Sequence, residues 1–521
     1  MASSDNILDK NVIGNLEMAD RIIFKGHLTS FFPDGAFSVF LSRQGVLLKD
    51  FKSYVKKATA QIKAYAEDIA SSAKRPFKYL NAPHTARSGN SKEKMAREIA
   101  QRDGIEDGLV CVFYVLENCT SFVVRGDKKS HRLRIDRRRR KCLHFYFYYM
   151  HPEFGFMHVR LQSWFPFQIQ VYINGREWLC RQLDSLGIGY QRYENALTSI
   201  DNIETAQKLC NGFFRKKWHK VLEPLARAVN PWLPKIEKLG FGSYYWCIDQ
   251  CEIATDLMFK SRASLTKILP LLFTYSILAM SAEDAFRYLG RKPNGNFRGE
   301  IKSDLKKRPE GYRVKFSMKR NSIKMYDKFS VLRFETTINN PREFKIPTKK
   351  TNKDGTTPRR WMPMNKGVAN FWRFKQVGAQ ANERFLKALA EATPQPRVVE
   401  ELDRISRPRR RQGRQFARFN PVSEQDSLLF LNVLAGPHNI NGFRNKDLTR
   451  LQYKRPARNQ RERNRRCQRT SRLIAKLRGH GLIAKVPGAR MYRVTALGHR
   501  VMYAVLRFRK SYLFDVGNCA A

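Results

Sequence analysis

Leu109-Val-Cys-Val-Phe-Tyr-Val-Leu is an almost unbroken apolar run with β-branched content, and it commits the chain to a sheet covered on both faces. Such a strand belongs near the centre of that sheet. The stretch from Leu143 to Val171, the most aromatic in the chain, adds further strands. In Phe156-Met-His-Val-Arg-Leu-Gln-Ser-Trp, Met157, Val159 and Leu161 alternate with His158, Arg160, Gln162 and Trp164. Period-two alternation sends the two sets to opposite faces, one directed at a core, the other offering hydrogen-bond donors and a stacking ring. That second face suits unpaired bases, although aromatics at strand spacing serve a core more often. Between these runs, ten of the seventeen residues from Arg125 to Lys141 are basic, including Arg137, Arg138, Arg139 and Arg140, which predicts a hairpin or strand edge.

Charge limits what such a sheet can be for. The 521 residues hold 98 Lys and Arg against 46 Asp and Glu, a formal charge of +52. Self-repulsion on this scale calls for a polyanion, and nucleic acid repays it through counterion release. With 42% hydrophobic and 12% aromatic residues the chain has material for packed cores and is not a basic tail. A membrane is not expected: the longest apolar run, Ile268 to Met280, contains Pro270 and falls short of the roughly 20 residues a bilayer needs, so it reads as a core helix. Nine scattered cysteines fit reduced, cytoplasmic thiols, and the pair Cys247 and Cys251 has no second pair to complete a zinc site. The opening residues have neither the basic nor the apolar region of a secretory leader, so export is not expected, and no phosphate-binding loop for an ATP motor is present.

Composition shifts divide the chain into an α/β segment at 1–108, an aromatic and basic β region at 109–175, a helical segment at 176–240 and a second β-containing core at 241–393. Within the first, Phe51, Val55, Ala58, Ile62, Tyr65 and Ile69 mark a helix, and the polar stretch after Ala82 reads as a loop. Within the last, the lysine-rich stretch 346–360 reads as a mobile loop. Residues 394–422 read as an arginine-rich linker, disordered until nucleic acid binds, with Arg409, Arg410 and Arg411 as its densest point.

From Ser423 the pattern sharpens. Ser423 followed by Asp426 caps a first helix, Asn445 to Leu451 forms a second, and Arg461 to Arg478 a third, which Gly479-His-Gly481 stops. Two short strands around Pro487-Gly488 and a last helix from Ala496 follow. Over 423–510 this order resembles the winged helix-turn-helix family. The resemblance implies that the third helix, with Arg465, Arg469, Arg472 and Lys476, enters a groove while Lys485, Arg490 and Arg493 reach a flanking backbone.

Asn321 to Asn339 reads as two short strands that put Tyr326, Lys324 and Lys328 on one polar face and Glu335 with Arg333 on another. A tyrosine, a carboxylate and several cations are the parts of a strand-nicking site. Tyr326-Asp-Lys followed by Leu332-Arg-Phe-Glu is similar to the corresponding stretch of rolling-circle replication initiators. That resemblance implies a nucleophilic tyrosine, here Tyr326 or the upstream Tyr312, and a metal held by Glu335 with acids of the Cys247–Asp256 stretch: Asp249, Glu252 and Asp256. It lacks those proteins' His-hydrophobic-His metal pair. The plainer alternative makes these carboxylates ion-pair partners among 98 cations.

The sequence thus predicts a multidomain α/β (α+β) protein, a mixed sheet core with helices followed by a winged helix-turn-helix. Its expected role is sequence-specific DNA binding for a plasmid, phage or mobile element, with Mg²⁺ or Mn²⁺ as cofactor if it nicks DNA, and a homodimer allowed. A non-enzymatic scaffold for structured RNA, with no cofactor, is the alternative.

Overall fold

The computed structural model describes residues 11–81, 92–127, 131–278, 288–290, 301–308, 311–349, 358–390, 398–435, 438, 442–453 and 455–510. The loop expected after Ala82 and most of the one at 346–360 lie outside them. The chain divides into two compact units, one of Ile13–Met258 with Val331–Asn382, here the sheet unit, and a second of Met1–Val12, Phe259–Ser330 and Glu383–Ala521. The expected boundaries at 108, 175 and 240 therefore fall inside a single unit.

In chain order the elements that matter are β1 (Val12–His27), α1 (Phe51–Ser72), β2 (Phe77–Tyr79), α2 (Lys92–Arg102), β3 (Gly108–Gly126), β4 (Leu133–His151), β5 (Gly155–Gln162), β6 (Ile169–Asn174), α3 (Gly175–Ser185) and β7 (Tyr245–Phe259). Then come α4 (Arg262–Leu278), β8 (Ile301–Arg308), β9 (Gly311–Met318), β10 (Asn321–Lys328), β11 (Val331–Ile338) and α5 (Phe371–Ala390). The C-terminal part holds α6 (Val398–Ser406), β12 (Arg409–Arg411), β13 (Arg414–Phe416), α7 (Glu424–Val433), α8 (Asn445–Gln452), α9 (Gln460–Gly479), β14 (Ile483–Lys485), β15 (Tyr492–Val494) and α10 (Ala496–Lys510).

The sheet unit is built on strands in the order β11-β7-β1-β6-β5-β4-β3-β2. β2 runs parallel to β3, whereas β3 to β6 form an antiparallel meander and β11 pairs antiparallel with β7. The N-terminal strand β1 lies between β6 and β7, with Ile22 opposite Ile173 and Phe24 opposite Val171. That insertion is why the expected "second" β region joins the first: its strands β7 and β11 complete a sheet that begins at residue 12. Val110, Val112, Phe113 and Val115 of β3 are fully buried, as expected for a strand covered on both sides. On one face Phe113, Val115, Tyr146, Tyr148 and Phe156 pack under Ala96 and Ala100 of α2. α1 buries Phe51, Val55, Ala58 and Ile62 at the expected helical spacing. The expected helical segment at 176–240 is interrupted by a β-hairpin, Tyr190–Tyr193 with Ala196–Ile200.

In the second unit β8, β9 and β10 form successive antiparallel pairs, and the run expected as a core helix is α4, which passes through Pro270. No helix among the described residues is long and apolar enough to cross a membrane. The C-terminal part has its own core, in which Leu429, Phe430, Val433, Phe443, Leu448, Ile474, Leu477, Ile483 and Val501 are buried together. Ser423 caps α7 by accepting the Asp426 N–H, and positive φ at Gly481 ends α9. Phe443 exchanges both backbone hydrogen bonds with Tyr492 and so adds a third, one-residue strand beside the β14–β15 hairpin. Next to it Gly442 has φ +70°, and a Cβ there would stand 2.6 Å from the Tyr492 carbonyl oxygen, so glycine is required.

The arginine-rich segment corrects a sequence expectation. Rather than a disordered linker, it ends α6 and then forms the β12–β13 hairpin. Gln412 and Gly413, both at positive φ, make its two-residue turn. Phe416 packs against α9 at Gly479, where an added Cβ would meet its ring at 2.3 Å.

Candidate nucleic-acid interface and carboxylate site

α9 is capped by the Asn459 side chain, which accepts the Glu462 N–H, and buries Thr470, Ile474 and Leu477 on one side. Arg461, Arg465, Arg469 and Arg472 are all exposed. At 100° per residue these four fall within an arc of about 80°, on the side opposite the buried stripe. Lys485, Arg490 and Arg493 of the hairpin are exposed as well. The row and the hairpin thus give this end of the molecule two cationic features on separate elements, one a rigid helix and the other a turn.

Not every expected cation is available. Lys476 shares the arc of the arginine row, but its ammonium lies 3.6 Å from Asp426 and 3.9 Å from the centre of the Phe419 ring, so it serves the fold. Arg409 and Arg411 donate to the carbonyls of His480 and Arg478, each at 2.9 Å, and neutralise the C-terminal end of α9. Arg410, between them, is exposed.

On the sheet, Arg137, Arg138 and Arg139 are exposed along β4, in the outer part of the β3–β4 hairpin, in line with the hairpin or strand edge expected there. Arg140 is turned inward, its guanidinium 3.3 Å from the centre of the Trp164 ring. Trp164 is buried and donates to the Phe122 carbonyl at 3.0 Å, so it is a core residue and not a stacking platform. His158 stacks on Tyr172 at 5.1 Å, and burial, reinforced by Arg21, Lys92 and Arg160, drives its imidazole down to about 3. Arg160 is held by Gln170 at 2.6 Å and Glu117 at 3.0 Å. It borders a polar pocket with Lys25, Arg139, His144, Gln162 and Gln170. Burial lowers the Lys25 ammonium, and burial with Arg160 brings His144 down to about 3.

On the opposite face of the sheet unit, acids from three neighbouring strands meet. Asp20 of β1, Glu252 of β7 and Glu335 of β11 place ligand oxygens within 4.8 Å of one another. Asp20 and Glu335 are buried, and Glu252 is partly exposed, so the group borders solvent on the Glu252 side. Beside it Arg333 grips Asp256 through two hydrogen bonds of 2.6 and 2.8 Å, while Arg176 lies 2.8 Å from Asp20. Burial opposes charge on Asp20, but Arg176 and Arg333 outweigh it and hold the carboxyl below its ordinary range.

No family model, curated protein or solved structure matches this chain.

The ion pairs reassign two of the expected metal ligands. Asp256 is the buried partner of Arg333. Asp249 is an odd-numbered residue of β7, faces away from Glu252 and Asp256, and pairs with Lys366 at 2.8 Å. Asp20 was missed; its one signal is a lone acid in the apolar alternation of β1. Of the expected catalytic residues, Tyr326 stands opposite Arg313 and Lys324 opposite Lys315 in the β9–β10 pair, and all of Tyr326, Lys324 and Lys328 are partly exposed. Tyr312 is 46% exposed, with its ring 5.8 Å from that of Phe273. These four belong to the second unit and the carboxylates to the sheet unit.

Proposed function

We propose that this chain is a sequence-specific DNA-binding protein that docks α9 in the major groove of a duplex and rests the β14–β15 hairpin on the adjoining backbone. The observation that carries the proposal is the row Arg461, Arg465, Arg469 and Arg472, exposed on the side of α9 opposite its buried stripe. The major groove of B-DNA admits an α-helix, and arginine reads guanine there with two hydrogen bonds. The deep, narrow major groove of A-form RNA does not admit one, which favours DNA over structured RNA. Lys485, Arg490 and Arg493 supply backbone contacts, which orient without reading sequence. Selection from a random duplex library with the full chain tests this. A discrete motif, absent when Arg465, Arg469 and Arg472 are all changed to alanine, is expected. Co-purification of a discrete, DNase-resistant RNA with no selected DNA motif would overturn it.

A strand-cutting activity is the second reading, favoured by the convergence of Asp20, Glu252 and Glu335. These oxygens would hold Mg²⁺ or Mn²⁺, hard cations that take carboxylate ligands, next to the phosphate under attack. An attacking hydroxyl would form the new phosphate ester and lose its proton, and the departing 3′ oxygen would gain one. A covalent tyrosyl adduct on single-stranded DNA that appears only with a divalent metal is the expected result. A full chain that forms no adduct and cuts no DNA with either metal would leave binding as the whole activity.

A further inference from the structure

We propose that Cys119, Cys142 and His144 form a second, soft-ligand site for Zn²⁺ on the β3–β4 pair, unconnected with the carboxylate group. Their ligand atoms lie within 4.8 Å of one another. The strand geometry explains why they converge. Cys142 and His144 are two residues apart on β4 and so share a face. Cys119 is opposite Arg140, and Cys142 opposite Glu117, so the two cysteines are diagonal neighbours across the pair.

Diagonal positions in antiparallel strands have Cα atoms roughly 7–8 Å apart. That exceeds the usual Cα separation of a disulfide, about 4.4–6.8 Å. The sulfur atoms stand 3.0 Å apart. Tetrahedral zinc with bonds of about 2.3 Å holds two sulfurs roughly 3.8 Å apart, which small side-chain rotations supply. His144 donates Nδ1–H to the Cys142 carbonyl at 3.2 Å, leaving Nε2 with its lone pair. A backbone carbonyl behind a ring nitrogen is the usual way to orient a metal-binding imidazole.

Binding would release the two thiol protons, and two thiolates would cancel the charge of the ion. A neutral centre is compatible with Arg139, Arg160 and Lys25 in the adjoining polar pocket. Three protein ligands leave the fourth position to water on the pocket side. The ion would clamp β3 to β4 close to the exposed Arg137, Arg138 and Arg139 of β4 itself.

The test uses the full chain purified with thiols reduced. Elemental analysis should find one Zn²⁺ per chain, and exchange for Co²⁺ should produce a thiolate-to-cobalt charge-transfer band. Carboxylates give no such band, so the reading is separated from any ion at Asp20, Glu252 and Glu335. Cys119→Ser and Cys142→Ser should each lose the band, and Cys247→Ser should keep it. Absence of the band from the unmodified chain, its persistence in both serine variants, or peptide mapping that finds Cys119 disulfide-bonded to Cys142 in the reduced preparation would each overturn the proposal.

Discussion

α9 and the strands of the sheet unit are both rich in arginine, and the two regions use it in opposite ways. On α9 the four arginines of the row project from the side opposite Thr470, Ile474 and Leu477. In the sheet, Arg176 and Arg333 are almost wholly buried against Asp20 and Asp256, and Arg140 lies over Trp164. The lesson is that an arginine's task follows from its place in the apolar pattern, not from the number of its basic neighbours. Opposite an apolar stripe it is free for a ligand; within the buried alternation of a strand it must find a carboxylate or a ring.

The largest effect that can break this contrast is on folding. Arg333→Ala leaves Asp256 buried without its guanidinium, and losing one partner of such a pair costs about 3–5 kcal/mol. Arg469→Ala, on an exposed face, should change stability by no more than about 0.5 kcal/mol. Urea unfolding of both full-length variants measures this, and equal losses would erase the distinction between the regions.

Next in size are the carboxylates. If the cutting activity is present, Glu252→Gln and Glu335→Gln should each slow it by roughly 100-fold while duplex affinity is kept, since a lost metal ligand weakens the transition state by several kcal/mol. Nicking assays beside binding isotherms on the same preparations decide it; a parallel fall in both would mean that these acids serve the fold.

On the DNA side, Arg469→Ala and Arg472→Ala should each cost about 1–3 kcal/mol at particular base pairs, whereas Arg490→Ala should weaken all duplexes alike. Lys476→Ala sharpens the comparison within a single helix. Because Lys476 is committed to Asp426 and Phe419, its loss should lower the melting temperature and leave the base preference unchanged. A shifted preference would place Lys476 in the groove after all.

How much of this was legible in the sequence depended on distance along the chain. The C-terminal part was read element by element, because caps, an apolar period and turn residues are local signals. Glu335 was also picked out, from alternation within its own strand, and Glu252 through the resemblance to rolling-circle initiators. Asp20 was not, because its partners are on β7 and β11 and only the insertion of β1 into the sheet brings them together. Asp249 could have been set aside by parity alone, since odd and even residues of β7 face apart. The Arg409–Phe416 hairpin was hidden by composition: seven arginines from Arg404 to Arg418 suggested disorder, while Gln412-Gly413 and Phe416 held the information that it folds.

The smallest predicted effect is on pH. His158 faces Arg21 of β1, Lys92 of α2, Arg160 of β5 and Glu117 of β3, with Tyr146, Tyr148 and Tyr172 around its ring. Burial lowers it to about 3, and burial with Lys25 lowers His27 to about 4. The unfolded chain therefore binds these protons more readily than the folded one. Their stabilisation is complete above the ordinary histidine value and is lost as pH falls towards 3–4. Urea midpoints should drop between pH 7 and pH 5, and less so in His158→Phe; an identical drop in that variant would remove His158 from the account.

α9 is proposed to hold the duplex through its exposed arginines, and the salt dependence of binding tests this most directly. For the full chain on its selected duplex, the logarithm of affinity should fall linearly with the logarithm of salt concentration. With Arg465, Arg469 and Arg472 all changed to alanine, affinity should collapse to that for random DNA, and the slope should shrink by up to about 0.9 for each arginine that had met a phosphate. Unchanged affinity, slope and sequence preference in that variant would contradict the account.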